Sequence, residues 1–490
     1  MSTLKEKSIK GLFWDFTGRI GLQGIGFVVS IFLARLLAPE EFGIIAIITV
    51  FINLANVFVD YGFNIALIQK QDIDEKHFTA VFYLNVLMGF ALSSIVFLLA
   101  PLIGQFYEKD ILTNITRLMS IGIFISSFGH IMRSRLQRNL NFKLVSVANI
   151  CAAIVSGVLA MVLAFKGFGV WSLAIQSVIN QLLSNVLLYF FSKPHLSLTV
   201  KLNVLQELWP FSSRVFFSGL LDTLFYNFDS LIIGKLLNPS TLGFYQRAKS
   251  LENFGFRYTA STVASVLLPG LSTLQNDPAT LRQSVLKIFH LLSFISFLGC
   301  GIFLVGGNEI IIILFSAKWE PSVIMFQILI SGAFASQGIS FFNSILLSIG
   351  QSKKYLQINA ANKILLFLNF GLLFVYGLKI YLIGFVLVQF IVYYLSMYKT
   401  SNQVRLKSNL VFMSVRYLII YFLSSLISML VKSKIATFSL TFDLIFSIIL
   451  FSALFCGLSK LFNSEGFEIS KIEFLNLLKQ VVKLPVLKKS

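Results

Sequence analysis

Between Pro210 and Lys249 the chain reads PFSSRVFFSGLLDTLFYNFDSLIIGKLLNPSTLGFYQRAK, apolar for most of its length yet holding Arg214, Asp222, Asp229, Arg247 and Lys249. Ionisable groups are costly in hydrocarbon, so inside a spanning helix they mark a partner, a watery cavity or a path for a polar substrate. Asp222 and Asp229 are seven residues apart, about 20° around a helix, and Ser218 extends their stripe. In the next helix Gln246, Ser250, Asn253 and Arg257 follow helical spacing, with Arg247 at the edge and Glu252 among them. Arg19, in DFTGR, lies within the first apolar segment, and Arg214, in PFSSR, near the start of the seventh. Basic groups gathered between low-dielectric walls create a positive potential suited to an anion, and the forked guanidinium suits phosphate. Arg19, Arg214, Arg247, Lys249 and Arg257 are therefore the candidate substrate-binding residues. Asp60, Asp222, Asp229 and Glu252 are candidates for balancing that charge or coupling to an ion. Simpler roles compete. An Arg near a helix end reaches the headgroups by snorkelling, Asp15 is spaced to pair with Arg19 at i, i+4, and Asp60 fits an interfacial acid.

The elements that carry these residues must be membrane helices. Apolar residues make up 56% of the 490, aromatic residues 14% and charged residues only 12%, and the mean hydropathy is +0.83. A soluble domain carries about a quarter charged residues. Roughly 20 apolar residues cross a bilayer as a helix, against about 10 for a barrel strand, and the apolar runs here have the helical length. The pattern predicts an all-α polytopic membrane protein with about 14 spans, over 12–37, 43–66, 79–103, 112–132, 144–166, 170–191, 208–236, 242–272, 286–315, 323–349, 355–377, 380–399, 411–431 and 438–461. The first run is too long for a signal peptide and lacks a cleavage site. Lys and Arg concentrate on alternate loops, including Arg133, Arg135, Arg138 and Lys143, then Lys353 and Lys354, and on the tail. By the positive-inside rule both termini are cytoplasmic, and the net charge of +19 speaks for anionic headgroups rather than nucleic acid. Cys151, Cys300 and Cys456 and the four histidines are scattered, which suggests neither a disulfide framework nor a metal site. A P-loop, H-E-x-x-H and G-x-S-x-G are all missing, so no catalytic constellation or cofactor is expected.

The chain also repeats itself. ARLLAPEEFGIIA (34–46) aligns without a gap on GKLLNPSTLGFYQ (234–246): a basic residue, Leu-Leu, one residue, Pro, then Gly four residues later. NFKLVSVANI (141–150) resembles SKKYLQINAA (352–361), and Gly167 then falls opposite Gly377. Two six-helix lobes (1–200 and 201–400) follow, related by a parallel repeat about the membrane normal, which places a transport site between them. Two further helices (401–464) and a basic cytoplasmic tail (465–490) complete the expected organisation.

SIFLARLLAPEEFGIIA, VDYGFNIALIQK, NFDSLIIGKLLNPSTLGFYQRA, VLLPGLSTLQND and FSAKWEPS, in this order, together resemble the polysaccharide transporter (Wzx-like flippase) family. This family belongs to the multidrug/oligosaccharidyl-lipid/polysaccharide (MOP) exporter superfamily, and the similarity spans about residues 5–400, strongest to the lipopolysaccharide-biosynthesis or colanic-acid type. The resemblance implies a non-enzymatic flippase of the bacterial plasma (inner) membrane. It would move polyprenyl-pyrophosphate-linked oligosaccharide repeat units outward by alternating access, with a proton or sodium gradient as the possible drive. Membrane lipids, and a polysaccharide polymerase and glycosyltransferases of the same pathway, are the partners it suggests. The alternative is a multidrug or organic-cation antiporter of the same superfamily, whose cavity should be acidic or aromatic. A membrane enzyme would need a large outer loop or a paired nucleophile and base. A docking scaffold would work through the basic loops and tail.

Overall fold

A computed structural model describes residues 4–194, 196–197, 203–257, 271, 277–404, 406–434 and 439–472. Helices and short turns account for them, with no strand among the described residues. The elements are α1 (Leu4–Leu36), α2 (Pro39–Asp60), α3 (Phe63–Gln69), α4 (Glu75–Phe106), α5 (Asp110–Arg138), α6 (Phe142–Phe165), α7 (Val170–Ser192), α8 (Asn203–Leu236) and α9 (Pro239–Glu252). A π-helical turn, Asn253–Arg257, extends α9. After it come α10 (Pro278–Val305), α11 (Gly307–Phe315), α12 (Pro321–Ser348), α13 (Ser352–Val404), α14 (Lys407–Lys434) and α15 (Leu440–Leu461).

Among the described residues 11 helical segments are long and apolar enough to cross a membrane. One of them, α13, is two helices broken at Gly377, whose φ of 77° is non-helical, as the separate spans 355–377 and 380–399 require. The predicted span 208–236 lies within α8, whose charges lower its hydropathy. The predicted span 242–272 is described only to residue 257 and at Leu271. Two spans differ in their boundaries. The span expected over 43–66 stops at Asp60, because Tyr61 and Gly62 turn left-handed at φ 48° and 73°, and α3 restarts beyond them. The span expected over 286–315 breaks at Gly306 into α10 and α11.

Helix starts follow local chemistry. Pro39 opens α2 at the position where a missing N–H costs nothing, and the Glu41 side chain accepts from the Ala38 N–H at 2.6 Å. Asp74 caps α4 by accepting from the backbone N–H groups of Lys76 and His77. Asp277 does the same for α10.

Packing divides the chain into two compact units, Met1–Gln246 and Arg247–Ser490. In the first, α4 lies along α5, α5 and α6 lie along α7, α1 lies along α6, and α2 packs on α5 and α8. Hydrocarbon gives helices little reason to associate except close packing, and small residues supply it: Gly18 meets Ser146, Gly89 meets Ser127 and Gly157 meets Val29. The duplicated turn shows the same device twice. A Cβ on Gly43 would overlap the carbonyl of Pro239, and a Cβ on Gly243 would overlap the carbonyl of Pro39. The two copies of the repeat thus face each other and exchange one contact reciprocally. The later repeat pair also agrees in backbone, since Gly167 has φ 83° and Gly377 φ 77°.

In the second unit α12 lies along α13, while α14 and α15 pack on α10. Phe451 of α15 occupies the space a Cβ on Gly301 would need. Lys432, in the last turn of α14, donates to Glu309 Oε2 at 2.6 Å and to the Val305 carbonyl at 3.0 Å. Glu309 is 3% exposed, so this ion pair is a buried staple between α14 and the junction of α10 and α11.

Two stability predictions follow from these contacts. Val at Gly243 must displace the Pro39 carbonyl, and Gly243→Val should cost about 1–3 kcal/mol, read as a lower unfolding temperature in detergent. Gly24→Ala, where nothing lies within 4 Å, should leave that temperature unchanged or raised. Lys432→Met strands the Glu309 carboxylate and should cost about 3 kcal/mol, and the double variant with Glu309→Gln should recover most of the loss.

Candidate functional site

In the first unit polar side chains line up on two facing helices. On α2, Asn53, Asn56 and Asp60 recur at i, i+3 and i+7; on α5, Ser126, His130 and Arg133 recur at i, i+4 and i+7. Ser126 Oγ donates to Asn56 Oδ1 at 2.8 Å. Asp60 interacts electrostatically with His130 and accepts from the backbone and side-chain N–H groups of Asn64 on α3. Towards α8, Asn53 Nδ2 approaches Asn227 Oδ1 at 3.5 Å. Towards α6 and α7, Arg133 Nη2 reaches Asn149 Oδ1 at 3.4 Å, and Ser184 Oγ donates to the same oxygen at 2.8 Å. A polar seam therefore connects six helices of this unit, α2, α3, α5, α6, α7 and α8. Hydrocarbon satisfies none of these groups, so the seam belongs inside the bundle or against water. It escaped the sequence reading, which weighed charges above amides. The i, i+3, i+7 spacing of Asn53, Asn56 and Asp60 was the available signal.

The sequence-derived candidates fall in different settings. Arg19 is exposed, and its Nε lies 2.9 Å from Asp15 Oδ2 as an i, i+4 pair. Arg214 and Asp222 are exposed on α8. Asp229 is buried: Tyr245 Oη donates to its Oδ2, and Ser230 donates backbone N–H to its Oδ1 at 2.7 Å. Gln246 Nε2 donates to Ser230 Oγ at 2.6 Å, a second bond between α8 and α9. In the second unit Arg247 is buried, its guanidinium 4.7 Å from the centre of the Phe315 ring and 5.0 Å from that of Trp319. The aromatic residues of FSAKWEPS thus form a cation–π seat. Lys249 and Glu252 are half-buried on α9. The side chain of Arg257 lies outside the described residues. The structure thus joins Asp60 to His130 and Asp229 to Tyr245, and occupies Arg19 and Arg247 within their own units. Among the described residues no group of three His, Cys, Asp or Glu side chains is placed to hold a metal ion.

Ion pairs tie both ends of the first unit. Where α1 meets α2, Lys109 Nζ pairs with Glu40 at 2.8 Å and Lys235 Nζ with Glu108 at 3.1 Å. There Tyr107 Oη donates to the Leu231 carbonyl at 3.3 Å, and burial pushes its phenol up to about 12. At the opposite end Lys70 Nζ pairs with Glu207 at 2.7 Å, and His77 Nδ1 lies 2.6 Å from Asp74 Oδ1. The His77 hydrogen bond holds the Asp74 carboxyl below the ordinary carboxylate range, as Lys70 does for Glu207.

The family described as polysaccharide biosynthesis protein matches residues 32–324. The chain belongs to this family. It is 24% identical over 338 residues to the lipopolysaccharide biosynthesis protein WzxC of Escherichia coli (strain K12), covering 67% of each chain. It is 25% identical over 285 residues to the succinoglycan biosynthesis transport protein ExoT of Rhizobium meliloti (strain 1021), covering 58% of each. Among solved structures, the inward closed conformation of the lipid II flippase MurJ aligns with a TM-score of 0.70 at 16% identity, over 92% of this chain and 99% of that one. An inward-facing MATE family transporter of the MOP superfamily aligns with a TM-score of 0.62 at 14% identity, over 78% and 94%. This polysaccharide biosynthesis protein thus has the all-helical MOP exporter fold and is a multi-pass membrane protein.

Asp74 supplies a pH prediction. A carboxyl whose folded pKa is depressed stabilises the fold above its unfolded value and loses that contribution as pH falls through the folded one. The unfolding temperature of the wild type should therefore fall as the pH drops below about 4, and Asp74→Asn should flatten that fall.

Proposed function

We propose that the protein is a flippase carrying polyprenyl-pyrophosphate-linked oligosaccharide repeat units, of an O-antigen, exopolysaccharide or capsule, from the cytoplasmic to the outer leaflet. The observation that carries this reading is the polar seam through the first unit of a chain that belongs to the polysaccharide biosynthesis family. The substrate joins a sugar head, an anionic pyrophosphate neck and an apolar tail. A hydrogen-bonding interior shelters head and neck while the tail stays in lipid, and alternating access spares both from crossing hydrocarbon. The names of WzxC and ExoT, and the identity of MurJ as a lipid II flippase, point the same way. In this reading both termini are cytoplasmic, and the ion pairs Lys109–Glu40 and Lys235–Glu108 with the reciprocal glycine contacts close the outer end. Arg19, Arg214, Lys249 and Arg257 are the bases offered to the anionic neck. Asp60, beside His130, and Asp229 are the acids placed to balance charge or couple to an ion gradient. A polymerase and glycosyltransferases of the same pathway are the expected neighbours.

The multidrug antiporter has the same fold, so the fold does not separate the two readings, and family membership favours the polysaccharide substrate. The test is deletion of the coding sequence in its own host, followed by complementation. Deletion should remove surface polysaccharide and pile up lipid-linked repeat unit on the inner leaflet, and complementation should restore display. Unchanged display together with lost efflux of cationic dyes would establish the antiporter instead.

A further inference from the structure

The end of α5 carries Arg133, Arg135 and Arg138, and α6 opens with Lys143. As a sequence these four bases are interchangeable topology signals. The structure separates them. Arg138 donates to the carbonyls of Leu67 and Lys70, each at 2.6 Å, and of Gln71 at 2.7 Å, and so fastens the segment between α3 and α4. Arg135 grips Glu75 with both terminal nitrogens, each 2.8 Å from a carboxylate oxygen. Lys143 Nζ stands 5.1 Å from the centre of the Trp14 ring. These three are committed to holding the fold.

Arg133 is not. Its single hydrogen bond among the described residues is the long one, 3.4 Å, to Asn149 Oδ1. That oxygen already accepts the shorter 2.8 Å bond from Ser184 Oγ. Arg133 is nonetheless solvent-accessible, and it is directed along the polar seam towards α6 and α7 rather than at a carboxylate. A guanidinium carries five N–H donors in a fixed fork, so nearly all its hydrogen-bonding capacity is unspent. His130, one turn away on the same face, interacts electrostatically with Arg133 and with Asp60 of α2.

We infer that Arg133 is an anchor for the phosphate oxygens of the transported lipid, with Asn149 orienting the guanidinium and Ser184 orienting Asn149. The inference rests on the flippase reading and deepens it by naming where in the first unit the anionic neck is held. The chemistry recognised is a phosphate diester or pyrophosphate, which a bidentate guanidinium binds through paired N–H···O bonds that an ammonium reproduces poorly. A membrane phospholipid headgroup presents related oxygens, so the test must separate the two sources.

The full-length protein, purified in detergent, would be titrated with a short-chain polyprenyl pyrophosphate, the matching monophosphate, and phosphatidylglycerol. Binding would be followed by native mass spectrometry for the wild type, Arg133→Gln, Arg133→Lys, Asn149→Ala and the equal charge change Lys143→Gln. The expected result is a loss of about tenfold or more in pyrophosphate affinity for Arg133→Gln, a smaller loss for Arg133→Lys and for Asn149→Ala, and little change for Lys143→Gln. Should Arg133→Gln fail to fold, the Lys variant still reads the fork against the charge. Wild-type pyrophosphate affinity in the folded Arg133 variants would overturn the inference. So would an equal loss for phosphatidylglycerol, which would make Arg133 a headgroup anchor. If the wild type itself binds no polyprenyl pyrophosphate, the flippase reading falls and the inference with it. Wild-type binding with unaffected variants removes the inference alone.

Discussion

An amide or carboxylate moved into hydrocarbon without a partner costs several kcal/mol, and the arrangement of this chain follows from avoiding that cost. Asn56 finds Ser126, Asp60 finds Asn64 and His130, and Asp229 finds Tyr245 and Ser230. Asn56 and Asp60 meet α5, Asp60 also meets α3 through Asn64, and Asp229 meets α9 through Tyr245, so the partners that satisfy the side chains also help decide which helices meet. Close approach does the rest, with Gly18, Gly89 and Gly157 letting backbones come together where lipid offers no hydrophobic drive.

The two ends of the first unit are held by a different kind of force from its interior. Lys109 and Glu40 are each more than two fifths exposed, and exposed pairs of this kind contribute about 0–1 kcal/mol. Contacts so weak and so open to water can break and reform within a transport cycle. The buried Lys432–Glu309 staple has no such latitude, because parting it would leave a carboxylate 3% exposed with no counter-charge. Mobility is thus compatible with the ends of the first unit, whereas the attachment of α14 is built to persist.

Most of the fold was legible in the sequence, because twenty-residue apolar runs have few alternatives to a spanning helix. What stayed hidden depended on backbone and distance. Nothing in the hydropathy of VDYGFNIA requires Tyr61 to turn left-handed, yet that turn ends α2 six residues early. That Arg247 stands against Phe315 and Trp319 could not be read in advance, because both rings are remote in sequence. The seam of Asn53, Asn56, Ser126 and Asn149 went unread because these side chains carry no charge, and only distances show that they meet one another across helices. Charge was the visible signal; hydrogen-bonding capacity mattered as much.

The facing of Gly43 on Pro239 and of Gly243 on Pro39 has the form of a twofold dimer interface, in which one patch meets its own copy. In a true homodimer a single mutation alters both halves of such an interface at once. Here the copies are covalently joined, and each residue can change alone. The flanking residues differ, with Glu40 and Glu41 in one copy and Ser240 and Thr241 in the other. A symmetric seam held within one chain can therefore carry different charge on its two sides, an asymmetry that no pair of identical subunits could have.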